Sequence, residues 1–205
     1  MATFKIEARR LIRKRNKEIL VIEAWGKSSL RVRATRRAAL TEQDWALLPP
    51  SEILGGDAPA NELTIAVDGD SARVRCGSLE CRVNAEGWLS FWNARGELLL
   101  EEYWRDRARI DRFALPLNLA ARELKPVPSA DAYALTARFE AKEGEKLFGL
   151  GQYQDPYLDK KGSSLELAHR NSQSSVPFVL SNRGYGFLWN NPAIGRVELA
   201  RNVTQ

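Results

Sequence analysis

Residues 79–100 read Leu79-Glu-Cys-Arg-Val-Asn-Ala-Glu-Gly-Trp-Leu-Ser-Phe-Trp-Asn-Ala-Arg-Gly-Glu-Leu-Leu-Leu100. Apolar and polar side chains alternate from Leu79 to Val83, which is the period of a half-buried β-strand. Turn-forming residues at 85–87 and 93–96 enclose the apolar segment Trp88–Trp92. The stretch therefore predicts consecutive strands of an antiparallel meander.

The strand pattern continues on both sides of this meander. Further strands are predicted at Ile19–Ile22, Leu30–Thr35, Leu63–Val67, Ala72–Cys76, Tyr133–Phe139, Leu165–Leu167, Val176–Leu180, Phe187–Trp189 and Val197–Leu199. Many short strands without a long amphipathic helix indicate an all-β, antiparallel β-sandwich. The period of two predicts one buried face for Leu79, Cys81, Val83, Tyr133, Leu135 and Phe139. Residues 41–48 read as a helical turn or loop, and residues 49–59 read as an irregular connection.

Length and composition fit one globular domain. Of the 205 residues, 44% are hydrophobic and 28% are charged, and strand patterning runs throughout, so we expect residues 1–205 to form a single domain. No apolar run approaches the roughly 18 residues that a membrane span needs, and the first residues lack the apolar stretch of a signal peptide. We therefore expect a cytoplasmic protein without a membrane partner.

Charge and metal-ligand content favour no special chemistry. The net charge is +5, and basic residues concentrate between Arg9 and Lys17 without interleaved aromatic residues. This segment is interpreted as a solvated hairpin turn rather than a nucleic-acid platform, so no nucleic-acid partner is expected. Cys76 and Cys81 are five residues apart and His169 is the one histidine. A disulfide, a metal site and a histidine-based triad are therefore not favoured, and no cofactor is expected.

Much of the segment between Gln152 and Phe178 is polar and lacks strand periodicity. Side chains that donate and accept hydrogen bonds occur at Gln152, Gln154, Asp155, Asp159, Arg170, Asn171, Ser172 and Gln173. Aromatic rings that could stack on a ligand occur at Tyr153, Tyr157 and Phe178. Asp155 and Asp159 are interpreted as turn formers and Glu101-Glu102 as a solvated pair, so no catalytic residue is assigned.

Glycines and aromatic residues near the end of the chain have structural interpretations of their own. Gly149, Gly151, Gly184 and Gly186 suit bulges, sharp turns or close backbone approach. Phe187, Leu188 and Trp189 are interpreted as core, because they continue a strand pattern. Tyr185 could form a tyrosine hydrogen-bond corner or contact a ligand, and both interpretations stay open at this point.

Two segments carry a family resemblance. Phe148-Gly-Leu-Gly-Gln152 and Asn182-Arg-Gly-Tyr-Gly-Phe-Leu-Trp-Asn-Asn-Pro192 resemble the signature of the N-terminal domain of glycoside hydrolase family 31, the α-glucosidase and α-xylosidase family. The resemblance implies a galactose-mutarotase-like β-sandwich (supersandwich). It also implies that the catalytic carboxylates lie on a following (β/α)8 barrel of about 250 residues, which we expect to be missing from this chain.

The resemblance further implies a role in carbohydrate metabolism. The family hydrolyses α-glycosidic bonds with retention, using two carboxylates about 5 to 5.5 Å apart, and the sequence contains no motif for them. The chain is then expected to be a substrate-entrance domain that is silent without the barrel and whose partners are the barrel and an α-glycoside or α-linked oligosaccharide. The implied entrance loop lies within residues 152–178. Its substrate-binding candidates are Gln152, Arg170, Asn171 and Phe178, although relatives often carry an Arg-Asp pair where this chain has Arg170-Asn171.

Two other functions remain open from the residues. A free-standing carbohydrate-binding module would show clustered exposed aromatic residues and would bind sugar as an isolated chain. A mutarotase-like epimerase is suggested by the implied fold alone, but proton transfer at an anomeric carbon typically needs a histidine and a carboxylate. One histidine leaves little from which to build that site.

Overall fold

The computed structural model describes residues 3–41, 47–48, 63–103 and 120–200. These residues form 16 β-strands and contain no helix. The strands pair in antiparallel fashion, which confirms the predicted fold class. The suggested connections at 42–46 and 49–59 lie outside the described residues. Contacts divide the chain into unit 1, which comprises the described residues up to Glu140 except Leu47, and unit 2, which comprises Leu47 and residues 141–200.

The described part of unit 1 contains three sheets. A four-stranded sheet follows sequence order with β1 (Thr3–Glu7), β2 (Arg10–Arg15), β3 (Glu18–Ala24) and β4 (Leu30–Thr35). A five-stranded sheet also follows sequence order with β5 (Leu63–Asp68), β6 (Ser71–Cys76), β7 (Leu79–Val83), β8 (Leu89–Trp92) and β9 (Leu98–Glu101). A third sheet pairs β10 (Arg122–Pro126) with β11 (Tyr133–Ala137). The predicted meander is therefore confirmed as β7, β8 and β9.

One apolar core joins the four-stranded and five-stranded sheets. It comprises Leu11, Leu20, Ile22, Ala72, Val74, Cys81, Val83 and Leu89. Strand β6 illustrates the principle, because exposed and buried side chains alternate along all six of its residues. Val74 is 0% exposed, whereas Arg73 and Arg75 face water. Burial of a Val or Leu side chain contributes about 1.5–3 kcal/mol, so this core is a major source of stability for unit 1.

The predicted inward-facing residues fall in two different sheets. Cys81 and Val83 on β7 are buried, and Leu79 is half-buried. On β11, half-buried residues alternate with exposed ones, as the pattern predicts. The inward direction is thus confirmed on each strand. The two sets of residues lie in different sheets, because β7 belongs to the five-stranded sheet and β11 pairs with β10. One common face for all six residues stays a prediction.

The basic segment Arg9–Lys17 contains strand β2 between two tight turns. Each turn has two consecutive residues with positive φ, as hairpin turns of type I′ require. Arg13 is only 3% exposed, because β2 places it on the same side as buried Leu11. Arg13 and Arg15 donate to the carbonyl of Ala85 at 3.0 and 2.7 Å. The solvated interpretation is therefore wrong for Arg13, and burial lowers the pKa of its guanidinium.

A buried ion pair joins several elements of unit 1. Arg122 donates to the carboxylate of Glu102, to Glu18 at 3.1 Å and to the carbonyl of Gly87 at 2.8 Å. Glu102 also accepts the backbone N–H of Leu89 at 2.9 Å and is 2% exposed. The solvated interpretation of the 101–102 acidic pair is therefore wrong for Glu102. Its charge is compensated inside the protein rather than by water.

Unit 2 contains two sheets in its described part. The first has the order β12-β14-β15, with β12 (Leu147–Gln152), β14 (Ser174–Ser181) and β15 (Tyr185–Leu188). The second pairs β13 (Ser164–Leu167) with β16 (Gly195–Glu198). The strands predicted from sequence in this half of the chain fall on β13 to β16, with ends that differ by a few residues. Strand β14 is central, since it pairs with β12 on one side and β15 on the other.

Candidate functional site

The candidate site lies where β12 ends opposite the start of β14. Gln152 is the last residue of β12 and pairs with Ser174. Arg170 pairs with Gln173 in an isolated bridge that closes the turn leading into β14. Gln152, Arg170 and Asn171 are all exposed. We call these three residues the polar edge, and they comprise three of the four substrate-binding candidates.

A bulge in the pairing of β12 with β14 positions Gln152. The pairing with β14 shifts between Gly149 and Gly151, and residues 149–151 have positive φ values of 107°, 68° and 92°. A Cβ atom would lie 2.6 Å from a β14 carbonyl oxygen at Gly149 and 2.1 Å from another at Gly151. Side chains at these positions would clash with the backbone of β14. The interpretation of both glycines as bulge residues is therefore confirmed.

Pro177 lies among the extra residues of β14 at this bulge. Gly149 pairs with Val179 and Gly151 pairs with Ser175, so β14 has residues 176–178 where β12 has one residue. The carbonyl of Pro177 accepts the N–H of Trp189 at 2.8 Å, so the N–H that proline lacks would also face the β15 side. The pairs of β14 with β15 begin at Phe178 and Leu188, so the proline stands where that ladder ends, a position that a strand tolerates.

Side chains fix the connection between β12 and β13, residues 153–163. Asp155 and Asp159 each accept the backbone N–H two residues later, at 3.0 and 3.1 Å. Lys160 donates to both oxygens of Asp155 at 2.7 and 2.9 Å, and Leu147 donates its N–H to Asp159 at 3.0 Å. The Lys160 ammonium lowers the pKa of Asp155, and the Leu147 N–H lowers that of Asp159. Their interpretation as turn formers is confirmed.

The three aromatic rings of the segment 152–178 that could stack on a ligand differ in exposure. Tyr153 is half-buried, and its hydroxyl donates to the carbonyl of Glu166 at 2.8 Å and contacts the Ser175 hydroxyl at 2.9 Å. Tyr157 is 67% exposed and Phe178 is 36% exposed. Tyr153 therefore ties the connection to β13 and β14, while Tyr157 and Phe178 keep ring surface in water.

The turn at residues 168–173 carries Arg170 and Asn171. Arg170 donates two hydrogen bonds to Glu166, at 2.8 and 2.9 Å. This contact lowers the pKa of Glu166 and raises that of Arg170. His169 accepts the N–H of Ser175 at its Nδ1 atom, 3.3 Å away. The positive charge of Arg170 is thus balanced locally, while the Asn171 amide is presented to water beside it.

The outer face of β14 was not recognised from the sequence. We call Val176, Phe178, Leu180 and Leu188 the apolar strip, and they are 49%, 36%, 50% and 39% exposed. Gly186 makes room for Phe178, since a Cβ atom there would lie 2.7 Å from the ring. The interpretation of Leu188 as core is wrong, because its side chain lies on the outer face opposite Phe178. The unbroken apolar run from 176 to 180 was the available signal, as such runs are typical of strands covered on both faces.

Tyr185 belongs to the scaffold of unit 2. Its hydroxyl donates to Glu145 at 2.7 Å, and the Ser181 hydroxyl donates to the same oxygen at 2.5 Å. Glu145 and Ser181 are buried, and burial raises the pKa of the Tyr185 phenol. Of the two interpretations left open by the sequence, the contacts favour a structural corner, because the hydroxyl is already bonded.

The described residues offer neither a metal-binding cluster nor a membrane-spanning helix. Within the described ranges, no group of three or more His, Cys, Asp or Glu residues is arranged to hold a metal ion. Cys76 and Cys81 are buried free thiols on the neighbouring strands β6 and β7. In the same part of the chain, no helix has the length and apolar character needed to cross a membrane.

Together, the antiparallel sandwich of unit 1 and the bulged sheet of unit 2 define a galactose-mutarotase-like β-sandwich protein. The family model described as the glycosyl hydrolase 31 N-terminal galactose mutarotase-like domain matches residues 19–198. The chain therefore belongs to this family, which confirms the resemblance seen in the sequence.

Three relatives show the extent of the similarity. A family 31 α-xylosidase from a soil metagenome, crystallised with xylose, matches with a TM-score of 0.85 and 45% identity, covering 98% of this chain and 29% of that protein. The uncharacterized family 31 glucosidase ORF2 of Pseudescherichia vulneris is 48% identical over 198 residues, which are 92% of this chain and 36% of the relative. Alpha-xylosidase A of Aspergillus niger is 30% identical over 196 residues, which are 88% of this chain and 25% of the relative. The chain thus spans about a third or less of each relative's length.

Proposed function

We propose that this chain borders the substrate entrance of a retaining α-glycoside hydrolase of α-xylosidase or α-glucosidase type. Family membership supports the role of an N-terminal domain, and the relatives are named α-xylosidase and glucosidase. The proposed partners are an α-glycoside or α-linked oligosaccharide and a catalytic domain of the same enzyme. The proposed loop over the substrate lies within residues 152–178.

The observation that carries this proposal is the polar edge on a fixed backbone. Gln152 and Asn171 expose amides, which donate and accept hydrogen bonds as sugar hydroxyls require. Gln152 points to the same side of the sheet as its partner Ser174, and Phe178 lies further along that face. The ring of Phe178 therefore offers an apolar surface on the same face as Gln152, about 13 Å further along the strand, with Val176 between them. Amides and a ring on one face are a combination that suits a sugar substrate.

The fixed backbone supports recognition rather than chemistry. Binding residues often occupy loops that a rigid scaffold positions, and here the bulge in the pairing of β12 with β14 and the Arg170–Glu166 pair supply that scaffold. The acids Asp155, Asp159 and Glu102 are engaged in structural contacts. We propose that nucleophile and general acid come from the catalytic domain, so this chain alone is inactive.

Activity of the isolated chain tests the last point directly. Purified chain is expected to leave aryl α-xylosides and aryl α-glucosides unhydrolysed above background, because hydrolysis needs two carboxylates in reacting geometry. Turnover that persists through purification and disappears after an acid-to-amide substitution in this chain would overturn the proposal.

The site is tested in a chimera in which this chain replaces the matching segment of the soil-metagenome α-xylosidase. Gln152→Ala, Asn171→Ala and Phe178→Ala are each expected to lower kcat/KM about three- to tenfold, the loss of one net hydrogen bond or ring contact. Thr64→Ala, an exposed position on β5, is the control and should leave kcat/KM unchanged. Loss of melting temperature without loss of kcat/KM would show that the three residues pack rather than contact sugar.

Sugar binding by the isolated chain separates this proposal from a free-standing carbohydrate-binding module. Calorimetric titration with xylose and with isomaltose is expected to detect no binding tighter than about millimolar, since half of the site is proposed to lie on the catalytic domain. Tighter binding that Tyr157→Ala abolishes would favour the binding-module function instead.

The location of the protein is part of the proposal. We place it in the cytoplasm, because the buried free thiols Cys76 and Cys81 fit a reducing compartment. Cell fractionation of the native host checks this, and recovery from the periplasm or medium would contradict it.

A further inference from the structure

The apolar strip on unit 2 is unusual for a surface in contact with water. We propose that Val176, Phe178, Leu180 and Leu188 form a docking surface that packs against an apolar surface of the catalytic domain of the same enzyme. This inference rests on the proposed function, and it assigns a specific contact face to unit 2.

The strip is continuous. Val176, Phe178 and Leu180 occupy alternate positions of β14 and therefore share one face. Leu188 lies directly opposite Phe178 on β15, so its side chain joins the same face. The exposed fractions range from 36% to 50%, which leaves contact area on every member. Contiguous apolar area of this kind marks interaction sites, whereas single exposed apolar residues need no explanation.

The strip is also preformed. The ring of Phe178 occupies the space above Gly186, where a Cβ atom would lie 2.7 Å from it. Exposed Gly149 and Gly151 of β12 add no side chains beside it, so a partner can approach the backbone closely. Little side-chain ordering is then required on docking, which favours association.

Both faces of β14 carry apolar residues, unlike the faces of a strand with one side in water. Its less accessible face carries Pro177 and buried Val179 together with Ser175 and Ser181, whose hydroxyls contact Tyr153 and Glu145. Its more exposed face carries the larger apolar residues of the strip. An antiparallel strand with one wet face normally places polar residues outward. The pattern of β14 is therefore that of a strand covered on both sides.

The occupant follows from length and chemistry. The chain covers 29% of the soil-metagenome α-xylosidase and 36% of the Pseudescherichia relative, so most of each relative lies outside the matched segment. Apart from Phe178, which is also proposed to contact substrate, the strip consists of aliphatic side chains that offer a sugar neither a hydrogen bond nor a ring to stack on, which disfavours a sugar as their occupant. An apolar surface of the catalytic domain is the partner that matches this chemistry.

The experiment compares the effect of one double variant in two proteins. The double variant Leu180→Ser/Leu188→Ser is introduced into the isolated chain and into the chimera with the soil-metagenome α-xylosidase. Phe178 is left unchanged, because it is also proposed to contact substrate. The matched control is Ile6→Ser, an apolar residue on β1 of unit 1 that is 53% exposed.

In the isolated chain, the double variant is expected to lower the melting temperature modestly, because only about half of each side chain is covered there. In the chimera, it is expected to lower the melting temperature by at least about 4 °C more than in the isolated chain, because the same side chains are then fully buried. Ile6→Ser should have the same effect in both settings. Equal effects of the double variant in the two proteins would overturn the docking surface.

Two further outcomes are distinguishable. Sedimentation of the isolated chain as a dimer that the double variant converts to a monomer would show that a second copy covers the strip, which also overturns the proposal. A wild-type chimera without α-xylosidase activity and with independent melting of its parts would count against the proposed function itself. An active chimera that tolerates the double variant would remove only the docking surface.

Discussion

Strands β6 and β14 are both central in their sheets and both alternate in burial, but they expose opposite chemistry. β6 presents Arg73 and Arg75 to water and buries Val74. β14 presents Val176, Phe178 and Leu180 to water. Alternation therefore reports which side of a strand faces inward, whereas residue type reports whether its outer side is suited to water. By that measure the outer face of β6 is suited to water, whereas the outer face of β14 is suited to a covering partner.

The largest expected effect tests whether unit 1 is stabilised from within. Arg122→Ala removes the cation that balances buried Glu102, so the free energy of unfolding should fall by about 3–5 kcal/mol. Arg73→Ala on the exposed face of β6 is the control and should change it by less than about 0.5 kcal/mol. Urea denaturation followed by circular dichroism measures both. Similar values for the two variants would show that the buried ion pair of Arg122 and Glu102 contributes no more to stability than an exposed arginine of β6.

A somewhat smaller effect tests the bulge that supports the outer face of unit 2. Gly151→Ala should lower stability by about 2–4 kcal/mol, because alanine there has a positive φ and its Cβ would lie 2.1 Å from a carbonyl oxygen. Gly184→Ala also has a positive φ but meets open space, so about 1–2 kcal/mol is expected. Thermal denaturation of both variants checks the order. A reversal would mean that the bulge relaxes without cost.

Substitutions on the outer faces of β6 and β14 should differ in their effect on apolar dye binding more than in their effect on stability. Val176→Ser in the isolated chain is expected to lower the free energy of unfolding by at most about 1 kcal/mol, because about half of the side chain is already exposed; Arg73→Ser on β6 should change it by less than about 0.5 kcal/mol. Binding of an apolar dye such as anilinonaphthalene sulfonate should fall for Val176→Ser alone, because only that change removes exposed apolar area. Unchanged dye binding would mean that the strip is too small or too ordered to act as an apolar surface.

The smallest expected effect concerns acid. The folded-state pKa values of Asp155 and Asp159 are lowered by Lys160 and by backbone N–H groups, respectively. Their stabilisation is therefore present above the unfolded pKa of about 3.9 and is lost as pH falls through the lower folded values. Wild-type protein should lose more melting temperature between pH 6 and pH 3 than the Asp155→Asn/Asp159→Asn variant. Equal losses would show that these carboxylates do not stabilise unit 2 against acid.

The parts of the fold that depend on local pattern could be predicted. Alternation identified β6, β7 and β11, and turn residues located the meander of β7 to β9. Asp155 and Asp159 were recognised as turn formers, because their contacts lie within a few residues. Such features depend on near neighbours, and near neighbours are visible in sequence.

The features missed from sequence depend on distant partners. Arg13 is buried against the carbonyl of Ala85, which lies 72 positions later in the sequence. No local sequence pattern predicts that contact. Glu102 finds Arg122 in the same way, 20 positions later. The residues of the polar edge could be proposed from composition. The position of Gln152 could not, because it depends on the bulge in the pairing of β12 with β14. The apolar strip was missed because Val176–Leu180 reads equally well as a core strand.

Pro177 also affects the newly synthesised chain, before a partner covers the outer face of β14. An unbroken apolar run in a strand is a template for intermolecular β-pairing and fibril formation. Pro177 interrupts the N–H row in the middle of Val176–Leu180, and in the fold it stands where the ladder with β15 ends. Residues that break such runs act as gatekeepers against aggregation. The same proline that ends the ladder with β15 can therefore keep a newly made β14 from recruiting other copies of itself.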